Sequence, residues 1–208
     1  MDNPYGLAIS YTPWLKNLVP DINLSYLSGY YKIDKLSGFG ASMRYFTLGE
    51  INFTDANNQE LQKVSPNEIA LDAAYARKLS ENFSVGVALR FIYSNLSGTG
   101  DFNGGSMKPG IGFAGDASMY YTRREVSVGD YKADWSLGLN MSNIGSKISY
   151  QQDNDADFIP INLKLGGYFN IHIDEYNELG ITLDFNKLMV PTRPYIHPDS
   201  STSTGKPV

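Results

Sequence analysis

The sequence contains no cysteine and only two histidines in its 208 residues. Without cysteine the chain has no disulfide, no thiolate metal ligand and no thiol nucleophile. His172 and His197 have no second ligand at metal-binding spacing, and a GxSxG nucleophile motif is missing. The net charge of -5 lacks the strongly basic character of nucleic-acid-binding domains. We therefore expect no enzymatic activity, no metal, no cofactor and no nucleic-acid partner.

Long apolar runs are missing as well. No run reaches the roughly 18 residues that predict a transmembrane helix, and the mean hydropathy is -0.29, a value typical of soluble proteins. A membrane β-barrel gives the same average, because its lipid-facing and lumen-facing residues alternate along each strand. A low mean hydropathy is therefore compatible with a membrane protein.

Strict alternation of apolar and small or polar residues is clearest in the hairpin Asn67–Leu96. Its arms, Asn67–Leu79 and Phe83–Leu96, are separated by only three residues. Successive side chains of a strand point to opposite faces, so each arm has one apolar face. Both arms are about twice the usual ~5–6 residues of a soluble strand and reach the ~9–11 residues that cross a bilayer.

The same alternation predicts nine strands in all, joined by connections that alternate between long and short. The other seven strands are Tyr5–Thr12, Asp21–Ile33, Ser37–Leu48, Gly110–Arg123, Lys132–Asn143, Ile159–His172 and Asn177–Leu188. The long connections are Pro13–Pro20, Gly49–Pro66, Ser97–Pro109, Ile144–Phe158 and Met189–Val208; the loosest short one is Arg124–Tyr131. Long loops at one end and short turns at the other are typical of outer-membrane barrels.

We therefore predict an all-β fold, a transmembrane antiparallel β-barrel built as an up-and-down meander and integral to a bacterial outer membrane. A soluble β fold is the alternative. The long connections are expected on the extracellular side. Bacterial single-chain barrels have even strand numbers, so nine strands suggest a partial barrel. We expect one domain over residues 1–208, truncated at both ends, with 189–208 as an extracellular loop or tail.

The alternation also assigns residues to the two faces. The residues expected to face lipid are Leu7, Leu24, Met43, Leu71, Leu89, Leu137, Leu165 and Leu183. The charged residues expected to face the lumen are Arg44, Asp72, Arg90, Asp116, Asp134, Lys164 and Asp184. Such a polar network could hold a plug or guide a ligand, or it could simply pair its charges inside a packed lumen.

Apolar residues in the long connections are candidates for binding a protein partner. They are Trp14, Leu15, Leu18, Phe102, Met107 and Ile148, and the alternative is that Trp14 and Leu15 belong to an aromatic belt at the membrane surface. Gly110, Gly112 and Gly115 match GxGxxG, but a dinucleotide site needs this motif between a strand and a helix. Here the motif opens a strand, so small residues facing a crowded lumen explain it better.

Several stretches together resemble the PorV family, also called LptO, of outer-membrane proteins of the bacterial type IX secretion system. They are SYTPWLKNLVPDINLSYLSGYY (Ser10–Tyr31), RYFTLGEINFTD (Arg44–Asp55), NEIALDAAYARKLS (Asn67–Ser80), VGVALRFIYSNL (Val85–Leu96), NIGSKISY (Asn143–Tyr150), DFIPINLKLGG (Asp157–Gly167) and LDFNKLMVPT (Leu183–Thr192). The resemblance implies a FadL-like barrel with an N-terminal segment in the lumen. That segment and the C-terminal strands are expected to be missing from this sequence.

The resemblance also implies a non-enzymatic role in protein secretion. Proteins similar to PorV bind the translocon barrel and receive cargo through the cargo's C-terminal domain after translocation. They deliver this cargo to a surface attachment complex that contains a sortase-like protease. The implied partners are thus the translocon, cargo C-terminal domains, the attachment complex and outer-membrane lipid. The alternative is a FadL-like channel for hydrophobic small molecules, which would need an apolar lumen.

Overall fold

The computed structural model describes residues 3–14, 21–54, 60–96, 100–102, 105–150 and 156–189. Its strands in chain order are β1 (Tyr5–Pro13), β2 (Ile22–Lys32), β3 (Ser37–Leu48), β4 (Ile51–Thr54), β5 (Glu60–Val64), β6 (Asn67–Lys78), β7 (Phe83–Asn95), β8 (Gly100–Phe102), β9 (Gly105–Met107), β10 (Gly110–Val128), β11 (Tyr131–Gly145), β12 (Lys147–Ile148), β13 (Asp157–Phe158), β14 (Ile161–His172) and β15 (Glu178–Met189). No helix among the described residues is long and apolar enough to span a membrane.

Nine of these strands form one antiparallel sheet in the order β1-β2-β3-β6-β7-β10-β11-β14-β15. Each strand pairs with the next long strand of the chain, which is an up-and-down meander. The remaining six form three short hairpins, β4 with β5, β8 with β9 and β12 with β13, and all three lie within long connections. The predicted all-β fold with nine long antiparallel strands is confirmed; in the described chain the sheet is open, with β1 and β15 at its edges, and is consistent with part of a barrel.

The pairing register sorts side chains onto two contrasting faces. Leu71 pairs with Met43 on one side and with Phe91 on the other, and this face, which we call the outer face, is mainly apolar between the strand ends. Asp72 pairs with Ser42 and Arg90, and the face that carries them, which we call the inner face, holds small, polar and charged residues.

The outer face lies open on the surface of the sheet. Leu7 and Leu89 are each 74% exposed and Ile9 is 76% exposed, whereas the described chain buries only small or medium-sized apolar residues such as Val64, Ala114 and Ala133. A soluble sandwich would bury such a face against a second sheet, and large exposed apolar surfaces are typical of sites that contact protein or membrane. The arrangement fits a sheet whose outer face is covered by lipid.

Aromatic residues form two cross-strand rows on the outer face. The row near the short turns contains Tyr5, Tyr31, Phe39 and Tyr75, and the row near the long connections contains Tyr11, Tyr45 and Tyr93. The rows are six residues apart along each strand, about 20 Å at ~3.3 Å per residue. Beyond the second row lie the polar residues Asn23, Thr47, Asn67 and Asn95. Aromatic girdles that flank an apolar band have this layering in membrane barrels.

One predicted outer residue lies on the inner face. Leu24 pairs with Thr12 of β1 and Phe46 of β3, so it shares the face of Asp72 and Arg90, and Leu27 takes the outer position instead. The other seven residues predicted to face lipid do share the outer face. The error arose because β2 carries apolar residues in both phases of the alternation, and only its pairing with neighbouring strands selects one.

The predicted loop Arg124–Tyr131 is also wrong. β10 runs on to Val128 and reaches β11 through the two residues Gly129 and Asp130, with Gly129 at a φ of 61°, as a tight hairpin turn requires. A β-bulge at Glu125, which has a φ of 53°, interrupts the alternation. The sequence after the bulge therefore looked like a loop.

The other three short turns share one hydrogen-bonding pattern. In the turn after β2, the amides of Ile33 and Asp34 both donate to the carbonyl of Ser37, and the same arrangement recurs in the turns after β6 and β14. Hydrogen bonds from the Ser37 hydroxyl and from the backbone amides of Leu36 and Ser37 hold the pKa of Asp34 below its usual range. These local bonds fix the hairpin register from inside the turn.

We predict that single-cysteine spin labels will separate the two faces of β2. The chain has no native cysteine, so each variant carries one label. A label at Leu27 should relax strongly with oxygen, which concentrates in lipid, and a label at Leu24 should relax with a water-soluble nickel complex. Equal accessibility of the two positions, or a dry environment at both, would contradict the assigned faces.

Candidate functional site

Arg90 is the centre of a charged cluster on the inner face. Its Nε donates to Asp72 Oδ1 at 2.5 Å and its Nη2 lies 3.2 Å from Asp116 Oδ2, while Nη1 donates to Asn143 Oδ1 at 2.5 Å. Asp72 lies directly across from Arg90 on β6, and Asp116 is a diagonal neighbour on β10. One guanidinium therefore joins β7 to β6 on one side and to β10 and β11 on the other.

The cluster is largely shielded although the inner face is open. The side chains of Arg90, Asp72 and Asp116 are 19%, 14% and 15% exposed. Charge-assisted hydrogen bonds in such surroundings are stronger than those of exposed ion pairs. Two carboxylates around one guanidinium leave a formal charge of -1. Hydrogen bonds from Ser42 to Asp72 and from the Asn143 amide to Asp116 help to stabilise this charge.

Asn143 completes the cluster through a β-bulge that the sequence analysis missed. The register between β10 and β11 shifts at this point, and Asn143 adopts a φ of 62°, a left-handed conformation that asparagine tolerates better than most residues. Its amide donates to Asp116 Oδ1 at 2.8 Å. The signal available in the sequence was an asparagine at the end of a regular alternation, where a bulge could re-aim the strand.

Further hydrogen bonds connect the Arg90 cluster to β3 and to the residue that precedes β14. The Ser42 hydroxyl donates to Asp72 Oδ2 at 2.9 Å, which brings in β3. Asn143 Nδ2 donates to the carbonyl of Pro160 at 3.3 Å, just before β14. The resulting chain of contacts crosses the sheet from β3 to the start of β14, and its geometry suits fixing the relative positions of strands.

The other four predicted inner charges lie outside this cluster, although they share its face. Arg44 lies over the ring of Tyr26, 5.7 Å from its centroid. Asp134 accepts from the bulge amide of Glu125 and lies 3.4 Å from His172 Nε2, near the short turns. Lys164 and Asp184 line a separate cavity of about 300 Å³.

The hairpin β12–β13 folds onto the inner face of β10 near the long connections. A Cβ added at Gly110 would lie 2.5 Å from Ile148 Cγ2, and one added at Gly112 would lie 2.8 Å from Ile148 Cγ1. The Ile159 side chain approaches Gly112 as well. Gly110 and Gly112 of the GxGxxG stretch therefore form the seat of this hairpin, whereas Gly115 pairs with Leu89 on the outer face. Ile148, expected as an exposed loop residue, instead packs inward because these glycines leave room for it.

A chain of polar contacts holds the end of the hairpin. The Tyr150 hydroxyl donates to Ser94 Oγ at 3.0 Å, and the Ser94 hydroxyl donates to Glu68 Oε1 at 2.7 Å. The amide of Lys108 donates to the carbonyl of Tyr150 at 3.1 Å. Ser94 is almost completely buried, so this group covers the inner face of β6 and β7 as well as β10.

The remaining candidates for partner binding have different positions. Trp14 directly follows β1 and is 60% exposed, and its ring meets Phe46 edge to face at 6.5 Å. Phe102 and Met107 lie on β8 and β9, with side chains outside the described part of the structure. Leu15 and Leu18 lie outside the described residues.

Phe158 is an exposed aromatic residue that the candidate set did not include. It is 58% exposed and lies on β13, with the Lys147 ammonium 4.3 Å from its ring centroid. This cation–π contact holds the ring in place at the loop end of the sheet. In the sequence Phe158 follows an acidic stretch, and no sequence pattern there predicts the β12–β13 pairing that positions it.

Family comparison agrees with the resemblance found in the sequence. The family model described as type IX secretion system protein PorV matches residues 1–195. The chain belongs to the PorV family. Membership makes the protein a component of the type IX secretion system, and the nine-stranded antiparallel sheet fits the outer-membrane barrel expected for PorV proteins. No curated protein matches the chain.

We predict that Arg90→Met will destabilise the protein by about 2–4 kcal/mol, because it leaves two shielded carboxylates without their cation. Urea unfolding in detergent micelles measures the change. Lys63→Met is the matched control, since Lys63 forms an exposed pair with Glu50 at 3.0 Å, a kind of pair whose loss costs roughly 0–1 kcal/mol. Equal effects of the two substitutions would show that the Arg90 cluster does not stabilise the sheet.

We predict that Gly112→Ala will loosen the β12–β13 hairpin, because the added methyl group overlaps Ile148. Hydrogen exchange at the Lys108 amide, which bonds to Tyr150, should become roughly tenfold faster or more, equivalent to about 1.4 kcal/mol. The double variant Gly112→Ala/Ile148→Ala should restore most of the protection. Unchanged exchange in the single variant would contradict the seating of the hairpin on β10.

Proposed function

We propose that this PorV-family protein binds the C-terminal domains of secreted cargo as they leave the translocon. It then delivers the cargo to the surface attachment complex with its sortase-like protease. In this role the protein is a non-enzymatic, integral outer-membrane component, and its long connections face the cell exterior. Its partners are the translocon barrel, the cargo domains, the attachment complex and outer-membrane lipid.

The observation that carries this proposal is the occupied inner face. The Arg90 cluster spans β3 to β11, and the β12–β13 hairpin packs over Gly110 and Gly112. A permease for hydrophobic molecules would place apolar walls along its path, since a bound charge-free ligand cannot compensate buried charges. Charges and a folded hairpin along the middle of the sheet favour a protein that binds its partner outside the barrel.

The long-connection end offers surfaces for such a partner. Trp14 and Phe158 are exposed aromatic residues there, and Ile51 on β4 is 42% exposed. Aromatic side chains often contribute most of the binding energy of an interface, provided that they are held in place. Phe46 holds Trp14 and Lys147 holds Phe158. These contacts support cargo docking at this end of the sheet.

A FadL-like channel for hydrophobic small molecules is the second candidate function, and one feature favours it. Ile22, Leu24, Phe46 and Leu48 share the inner face near the long connections. Trp14 packs against this group through Phe46. This apolar patch could receive part of a greasy ligand, although the charged cluster lies next to it along the same strands.

We predict that Trp14→Ala will lower the capture of cargo C-terminal domains from outer membranes by about tenfold, as expected for an interface anchor worth ~1.4 kcal/mol or more. Affinity purification of the tagged full-length protein followed by mass spectrometry provides the measurement. Tyr176→Ala is the matched control, because Tyr176 is an exposed aromatic residue in a short turn at the opposite end.

Secreted proteins that share one C-terminal domain should be captured by the unaltered protein and by the control variant. Recovery of a bound fatty acid or hydrocarbon without any protein partner would overturn the carrier proposal in favour of the channel.

A further inference from the structure

We propose that the inner face of β10, β11, β14 and β15 binds a neutral sugar in a depression that we call the glycine bowl. The floor of the bowl is formed by the paired residues Gly138 and Gly166. Its rim carries one aromatic and three polar residues, Tyr120, Asn140, Lys164 and Asp184. This inference goes beyond the role in cargo transfer and does not depend on it.

The bowl exists because two neighbouring strands have glycine at the same level. Gly138 of β11 pairs with Gly166 of β14, so no side chain rises from the inner face between β10 and β15 at this level. Tyr120 pairs with Gly138 on one side, and Asp184 pairs with Gly166 on the other. The Cα atoms of Tyr120 and Asp184 are therefore three strand spacings apart, about 14 Å at ~4.8 Å per spacing.

Two cavities occupy this depression. One, of about 300 Å³, extends towards Asn140 and Lys164, and the other, of about 220 Å³, extends towards Ser136 and Tyr168. They share four lining residues, Tyr120, Gly138, Gly166 and Asp184. Asn140 lies four residues from Ser136 along β11, about 13 Å at ~3.3 Å per residue. The bowl is therefore about as long as it is wide, and its volume suits a small ligand.

The aromatic side of the bowl is held in place by hydrogen bonds. The Tyr120 hydroxyl donates to Ser136 Oγ at 2.8 Å, and the Ser136 hydroxyl donates to Thr122 Oγ1 at 2.9 Å. The Tyr120 ring lies beside the floor, since a Cβ added at Gly138 would lie 3.9 Å from Tyr120 Cδ2. The C–H groups of a sugar ring pack well against an aromatic ring, because the face of the ring carries partial negative charge.

The polar side of the bowl has hydrogen-bonding groups that no protein group uses. Within the described chain, the side chains of Asn140, Lys164 and Asp184 form no ion pair or hydrogen bond with another residue. Lys164 and Asp184 carry opposite charges on adjacent strands, yet they do not pair. The ammonium only donates, the carboxylate only accepts, and the amide does both. The rim therefore offers donors and acceptors to a ligand at separate points.

This combination favours a sugar over other small molecules. A neutral sugar carries hydroxyl groups around its ring, and each of them both donates and accepts, so one ligand engages the whole rim. An apolar ligand would leave the rim groups without partners after displacing water, which costs free energy. An anion would face Asp184 and a cation would face Lys164. An amino acid has both charged groups attached to one carbon atom, so it would reach Lys164 and Asp184 but leave Asn140 without a partner.

Saturation-transfer NMR tests the proposal. The full chain is folded in amine-oxide detergent micelles, because glucoside and maltoside detergents would themselves supply sugar. Glucose, galactose and mannose are the probes, with alanine as the zwitterionic comparison and cyclohexanol as the apolar one. We expect saturable transfer to the ring protons of at least one hexose, and binding of alanine and cyclohexanol should be about tenfold weaker or less.

Three substitutions in the bowl and one outside it locate the site. Asp184→Asn and Asn140→Leu should each weaken hexose binding about tenfold, because each removes a partner of the sugar hydroxyls. Gly138→Val should abolish hexose binding by filling the floor, and its Cβ makes only an ordinary contact with Tyr120. Asp130→Asn, the same change as at Asp184 but in the turn between β10 and β11, should leave hexose binding unchanged.

The proposal would be overturned if none of the three hexoses shows saturable transfer, or if alanine or cyclohexanol binds as tightly. Hexose binding that survives Gly138→Val, or that Asp130→Asn weakens as much as Asp184→Asn does, would overturn it as well. Circular dichroism monitors the strand content of each variant. If Gly138→Val loses strand content, Gly138→Ala takes its place and should weaken binding about fivefold. The assay contains no cargo, so a failure of the cargo proposal would leave its readout unchanged.

Discussion

The antiparallel pairing of nine long strands is the constraint on which the rest of the structure depends. A slip of one residue would move every side chain of a strand to the opposite face. Such a slip in β7 would bring Arg90 to the outer face, where an arginine at the bilayer midplane costs about 2–4 kcal/mol. The aromatic rows, the apolar band between them and the charged cluster therefore depend on the same backbone hydrogen bonds.

The Arg90 cluster adds specificity to this backbone pattern. Charges that are partly removed from water contribute little net stability on average, but removing one partner is costly because the others are left unpaired. Asp116 binds both the guanidinium of Arg90 and the bulge amide of Asn143. Through Asp116, the ion pair with Arg90 is therefore connected to the bulge at Asn143, where β11 departs from regular pairing. Just after this bulge the chain turns inward to form the β12–β13 hairpin.

The two faces of the sheet differ in chemistry in the way expected of a secretion component in a membrane. The outer face offers apolar side chains between two aromatic rows. The inner face carries the charged cluster on its central strands and the β12–β13 hairpin on β10 near the long connections, and we propose the long-connection end as the surface for a large partner. PorV-family membership and this distribution of chemistry support the same role, in which a partner is bound from outside the barrel.

The sequence by itself determined the strand content, the alternation of long and short connections and the family. These features follow from period-two patterning and from local turn chemistry, which act within a few residues. It also placed Asp72, Arg90 and Asp116 on one face, because each lies in a strand with an unambiguous phase. Only the tertiary structure decided the face of Leu24, whose strand is apolar in both phases, and the extension of β10 beyond the bulge at Glu125. The contacts of Asn143 with Arg90 and of Ile148 with Gly112 also required the tertiary structure, since they join residues that come together only through strand pairing and chain reversal.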